Sequence, residues 1–154
     1  MKVLAASSAM VSLLALSAMA LAASGPADGG DRELVKLPAH MEAHMLSNMR
    51  DHLLALEEML AALSEGDAAS AGQIAERRLG MSSLEQHGAR HIAPFMPEDM
   101  RAMGVEMHRA SSRFALISAD ADVEETYEAQ QKVYGALQEI TAACNACHAR
   151  YRVR

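Results

Sequence analysis

The feature that most constrains the fold is a long apolar stripe at helical spacing. Between residues 41 and 63 an apolar side chain recurs every three or four positions, as on one face of an α-helix; the members are Met41, Met45, Met49, Leu53, Leu56, Leu60 and Leu63. Pro38 is expected in the first turn, and residues 64–67 end the helix. No segment alternates apolar and polar residues, and β-branched residues are sparse, so strands are not expected.

A second, weaker helix is predicted from about 68 to 79, where Gly80 stops it. A short helical piece within 82–91 and a turn over 93–97 follow. The turn is expected because a proline keeps the residue before it away from the helical conformation.

Two more amphipathic helices complete the pattern. One begins at Pro97, with acids in its first turn, and carries the stripe Met100, Met103, Met107, Ala110, Phe114 and Ile117. A polar connection at 118–122 is expected next, and Asp122 would cap the last helix. One side of that helix carries Leu137, Ile140, Cys144, Cys147, His148 and Tyr151. Four such helices with short connections predict an all-α fold, an antiparallel four-helix bundle.

The beginning of the chain has the pattern of a secretory signal peptide. Lys2 precedes an apolar run over 3–23, and small residues near its end fit the cleavage rule. An uncleaved membrane anchor is the alternative. We expect a cleaved signal at 1–22, a flexible leader at 23–36 and a domain at 37–154 that has no membrane contact. The single lysine and the lack of a second apolar span indicate export to the oxidising periplasm of a Gram-negative bacterium.

Composition excludes several classes of protein. The 154 residues are 51% hydrophobic, which excludes intrinsic disorder. A net charge of −6 with only 3% aromatic residues makes nucleic-acid binding a poor interpretation. No Ser/His/Asp arrangement, phosphate loop or paired carboxylates indicates catalysis, so the chain is not expected to be an enzyme.

The motif Cys144-Asn145-Ala146-Cys147-His148 is the C-x-x-C-H attachment sequence of c-type haem. On a helix of about 100° per residue, the two thiols and the imidazole share one sector and one turn. The thiols can then add to the haem vinyl groups while the histidine reaches the iron. One covalently attached haem c is therefore expected. A Cys144–Cys147 disulfide and a zinc site completed by other ligands are the alternatives.

With this motif near its C-terminus, an export signal and four predicted helices, the chain resembles the class II c-type cytochromes, the cytochrome c′ group. The ending His148-Ala149-Arg150-Tyr151-Arg152 matches the C-x-x-C-H-x-x-Y/F-R pattern of that family. The resemblance implies that Cys144 and Cys147 form the thioethers and that His148 is the proximal iron ligand. It also implies that Arg152 lies near the proximal face and tunes the iron.

The resemblance further implies that the first helix faces the open side of the iron. Counting back from Gly66, the distal position falls at Arg50, and a slip of one residue brings Met49 there. Met45 and His52 lie about one turn to either side and are alternative ligands. A thioether would raise the reduction potential and an imidazole would lower it. Without a sixth protein ligand, the iron could bind diatomic gases.

Three functions follow as expectations. The first is a periplasmic monohaem electron carrier that meets redox partner proteins, with its acidic surface suited to a basic partner; a homodimer is left open. The second is a five-coordinate binder of nitric oxide or carbon monoxide. The third is a periplasmic copper- or metal-binding helical protein, suggested by the pairs His40/His44 and His87/His91 and by the stripe Met96, Met100, Met103 and Met107.

Overall fold

The computed structural model describes residues 31–154, so the predicted signal peptide and most of the leader lie outside the described residues. The described chain is mostly helical, which confirms the all-α prediction. Its five α-helices are α1 (Ala39–Ser64), α2 (Ala68–Arg78), α3 (Ala89–Ile92), α4 (Glu98–Glu124) and α5 (Tyr127–Arg150). No helix within 31–154 is both long and apolar enough to cross a membrane.

The first two helices are confirmed, and local chemistry explains their ends. Helix α1 starts directly after Pro38, whose carbonyl accepts the N–H groups of Met41 and Glu42 at 2.8 and 2.9 Å. It ends before Gly66, whose φ of +82° suits a residue without a side chain. The Asp67 carboxylate then accepts the Ser70 N–H at 2.8 Å and caps α2.

The segment between α2 and α4 is irregular but not extended. One turn of 3₁₀ helix occupies Met81–Ser83, the short helix α3 follows, and a second 3₁₀ turn occupies Ala93–Phe95. The predicted turn at 93–97 is therefore partly a 3₁₀ turn, because its proline stands at the start of this short element, where no backbone N–H is needed.

The predicted polar connection at 118–122 is wrong, because α4 continues through it to Glu124. Ser118 is fully buried, and a Cβ placed on Gly72 of α2 would come within 3.0 Å of the Ser118 Cβ. This close helix contact holds the stretch in the core. Helix α4 ends where Glu125 adopts a φ of +49°.

The predicted cap of the last helix is also wrong. Asp122 lies inside α4, and the side chain of Thr126 instead accepts the Ala129 N–H at 3.1 Å. The first turn of α5 therefore begins four residues later than expected.

The flexible leader predicted for 23–36 needs correction at its end. A two-residue strand β1 (Glu33–Leu34) pairs in parallel with β2 (Tyr151–Arg152), and Glu33 stands opposite Tyr151. Val35 is buried, and its N–H donates to the Arg152 carbonyl at 2.8 Å. Strands this short carry no detectable alternation, which is why the sequence did not predict them.

The helices enclose a main core between α1, α2, α4 and α5. Helix α1 packs along α2, α2 along α4, and α4 along α5, whereas α1 and α5 make only sparse backbone contact. Alanines and Gly72 allow the close approaches, and the large fully buried apolar side chains are Met59, Leu79, Phe114, Val133 and Ile140. A second core lies near the strand pair and contains Val35, Met45, Ile92, Met100 and Tyr151.

Candidate functional site

The C-x-x-C-H motif occupies the last two turns of α5. Cys144 and Cys147 are half-buried free thiols, and His148 is exposed. Cys144 packs against the main core, whereas Cys147 packs against the second core. The helical placement expected from the spacing is therefore present, with the two sulfurs against neighbouring apolar regions.

Burial raises the pKa of both thiols, and the neighbouring Cys144 raises that of Cys147 further. Both cysteines are therefore protonated at neutral pH. Dithiol oxidoreductases use a cysteine whose pKa is lowered, so this environment does not favour thiol–disulfide exchange.

A cavity of about 280 Å³ lies between the N-terminal half of α1 and the end of α5. It is lined by five of the residues proposed from the sequence, namely Met45, Met49, Cys147, His148 and Arg152, and also by Leu46, Met100 and Tyr151. Neither Cys144 nor His52 is among its lining residues. The walls are mainly thioethers and aliphatic groups, and basic side chains also line the cavity.

Two arginines at this cavity are held by the strand pair. Arg32 immediately precedes β1 and Arg152 ends β2, and both side chains line the cavity. Arg32 donates from Nη1 to the His148 carbonyl at 3.4 Å. Each Nε is buried and has no hydrogen-bond partner within residues 31–154. Because an unpaired buried donor is costly, these groups are suited to an anionic ligand group in the cavity.

His52 lies elsewhere, in a cluster of three buried imidazoles that we call the histidine cluster: His52, His87 and His108. Its ring centroid is 4.7 Å from that of His87 and 6.0 Å from that of His108, and the latter two are 5.4 Å apart. Burial, followed by repulsion from His87 and His108, lowers the pKa of His52 to about 4. His52 is therefore neutral at pH 7.

Sequence reasoning did not predict this cluster, although part of the signal was present. His52 stands three residues after Met49 and four before Leu56, so it falls on the apolar stripe of α1, and His108 follows Met107 on α4. A histidine on an apolar face is a detectable feature. His87 lies in an irregular turn, which periodicity cannot place.

The structure keeps only one of the two predicted histidine pairs on a helix face: His40 and His44 both lie in α1, four residues apart. His87 precedes α3, which starts at Ala89, so His87 and His91 do not share a helix face as predicted. His40, His44 and His91 instead line a small surface cavity, and His44 donates from Nε2 to the His87 carbonyl at 3.0 Å. Within 31–154, no group of three or more His, Cys, Asp or Glu side chains stands ready to hold a metal ion.

A larger apolar cleft of about 680 Å³ follows the groove between α1 and α5 away from the motif. Leu53, Leu56 and Leu60 of α1 face Tyr134 and Leu137 of α5 across it. The cleft marks where these two helices are not packed against each other.

Comparison of the chain with protein-family models, curated proteins and solved structures finds no match. What the protein does must therefore be inferred from its own residues.

Proposed function

We propose that this protein is a c-type cytochrome, an antiparallel four-helix bundle that carries one covalently attached haem and transfers electrons in the periplasm. The observation that supports this most is the shared cavity. Residues from opposite ends of the sequence, Met45 and Met49 on one side and Cys147, His148 and Arg152 on the other, line the same apolar space. The resemblance to class II c-type cytochromes supports the same function.

The residues at the cavity are chemically suited to haem c. Cys144 and Cys147 would attach the vinyl groups, and His148 would bind the iron. The buried Nε groups of Arg32 and Arg152, which have no partner within 31–154, would pair with the propionate carboxylates.

Space for the haem is the harder requirement. The cavity of about 280 Å³ is slightly smaller than typical ligand pockets, which are about 300–1,000 Å³. Its walls, however, include Met45, Met49 and Met100, whose unbranched side chains adapt easily. Because α1 and α5 pack only sparsely, side chains between them can move aside without breaking a close helix contact.

Bound haem would supply one-electron redox chemistry. The chain would contribute the His148 imidazole and a thioether from Met49 or Met45 as iron ligands, and a thioether ligand would favour the reduced iron and raise its potential. Buried Tyr151 and Met100 would limit access of water. An electron carrier needs no pocket for a substrate, so the cavity would hold only the haem.

A second candidate is a five-coordinate binder of nitric oxide or carbon monoxide. Leu46 lines the same cavity beside the two methionines, so an aliphatic group is available on the α1 side. In that case Met45 and Met49 would only pack around the gas ligand. The copper-binding alternative has less support, because the His87/His91 pair does not share a helix face.

Optical spectra of the exported protein, made with a haem-attachment system, test the proposal. We expect low-spin spectra in both oxidation states and a mature chain heavier than its peptide by one haem. Cys147→Ala should lose covalent haem on a denaturing gel. A colourless chain at its bare peptide mass would refute the proposal.

Distal variants separate the two candidates. Met49→Leu and Met45→Leu are compared with Met81→Leu, a partly exposed methionine outside the cavity. Conversion to high spin in one cavity variant alone identifies the ligand. High-spin wild-type spectra that shift with carbon monoxide favour the gas binder.

A further inference from the structure

Three buried imidazoles meet where α1, α4 and the turn before α3 come together. His52, His87 and His108 are exposed by only 9%, 7% and 7%. None of them lines the cavity at the C-x-x-C-H motif.

The spacing of the rings matches that of three imidazoles around one metal ion. With centroid separations of 4.7, 5.4 and 6.0 Å, the point equidistant from all three rings lies about 3.1 Å from each centroid. A zinc–nitrogen bond of about 2.0–2.1 Å places the metal about 3.2 Å from the ring centre. The ring nitrogens do not converge on that point in the structure, which has no preformed metal group within residues 31–154; metal binding would require the rings to turn toward it.

Hydrogen bonds leave lone pairs available on two of the rings. His108 donates from Nδ1 to the Leu79 carbonyl at 2.7 Å, so its Nε2 carries a lone pair. The Ser83 hydroxyl donates to the Gly80 carbonyl at 2.7 Å, and its oxygen can therefore accept from His87 Nδ1, 3.4 Å away. Metal-bound histidines are commonly held in this way through the second ring nitrogen.

The remaining nitrogens lack partners. The Nε2 atoms of His52 and His87 are buried and make no hydrogen bond within 31–154. Buried polar atoms without partners cost free energy, and a coordinated ion would remove that cost. Burial also lowers the pKa of each imidazole, so all three are neutral, the form that binds metals, at pH 7.

We propose that His52, His87 and His108 bind one divalent transition-metal ion through three imidazole nitrogens. Zinc suits this all-nitrogen set, with a fourth position left for water. This site would be additional to any haem.

Zinc titration of the chelator-treated, full mature protein tests the proposal. We expect one tight zinc ion per chain, and a loss of affinity of at least about 100-fold in His108→Gln, since a first ligand matters more than outer-shell partners, which carry about 10–100-fold. His40→Gln, in an exposed histidine of α1, is the matched control and should keep wild-type affinity. Equal zinc affinity in the His108 and His40 variants would assign binding to surface histidines and overturn the proposal.

Zinc-edge X-ray absorption on the wild type needs no variant, and haem iron does not contribute to that edge. Three imidazole nitrogens at about 2.0–2.1 Å are expected. A first shell with fewer than three imidazoles would overturn the proposal. Ser83→Ala should weaken binding by about 10–100-fold, because it removes the acceptor that orients His87.

Discussion

Acidification should destabilise this protein through His52. Its native pKa of about 4 lies below its ordinary value of 6.5, so the unfolded chain binds more protons between these values. The contribution of His52 to the free energy of unfolding therefore falls as the pH is lowered through 6.5 and levels off below about 4. From these two pKa values, His52 alone makes the metal-free protein about 2 kcal/mol less stable at pH 5 than at pH 7. His87 and His108, whose pKa values burial also lowers, act in the same direction.

Urea unfolding followed by circular dichroism, at pH 7, 6 and 5 with chelator present, measures this effect. In His52→Gln the loss of stability between pH 7 and pH 5 should be smaller by about 2 kcal/mol than in the wild type. His40→Gln, in the same helix but exposed, should keep the wild-type dependence. If His52→Gln loses as much stability as the wild type over this range, the assignment of the pH dependence to buried His52 is wrong.

Three further predictions concern the core, a helix cap and the proposed haem site. Phe114→Ala should lower the free energy of unfolding by about 3–5 kcal/mol because Phe114 is fully buried, whereas Leu116→Ala, in an exposed residue, should cost less than about 1 kcal/mol in the same urea titration. Thr126→Ala should cost about 1 kcal/mol through loss of the α5 cap, and an unchanged urea midpoint would contradict that role. Arg152→Gln should lower the reduction potential by roughly tens of millivolts in a redox titration, because a positive charge near the iron favours the reduced state; Arg109→Gln, on exposed α4 surface, is the control.

The sequence predicted the ends of α1 and α2 almost to the residue. There the apolar spacing and the residues that start and end helices indicate the same boundaries. Pro38 and Gly66 lie at the two ends of the apolar stripe of α1, and the side chain of Asp67 caps the N-terminus of α2. The predicted end of α4 was wrong because polar residues such as Ser118 and Asp122 are typical of a loop between helices. Ser118 is buried against Gly72 of α2, and such a tertiary contact cannot be predicted from local composition.

The candidate site was predictable in part for a similar reason. Helical spacing places Cys144, Cys147 and His148 together without any knowledge of the fold. That Met49 reaches the same cavity depends on how α1 lies against α5, for which the sequence offered only a family resemblance. The histidine cluster needs three separate elements to meet, so no local pattern could place all three imidazoles together, although His52 on the apolar face of α1 was visible in the sequence.

The parallel pairing of β1 with β2 brings the beginning and the end of the described chain to the same place. Glu33 stands opposite Tyr151, and Arg154, the final residue, still lines the cavity beside Cys147 and His148. An affinity tag fused after Arg154 would therefore emerge next to the motif and compete for the same space. Removing either short strand should expose the same edge of the cavity, so trimming the two ends should produce equivalent defects.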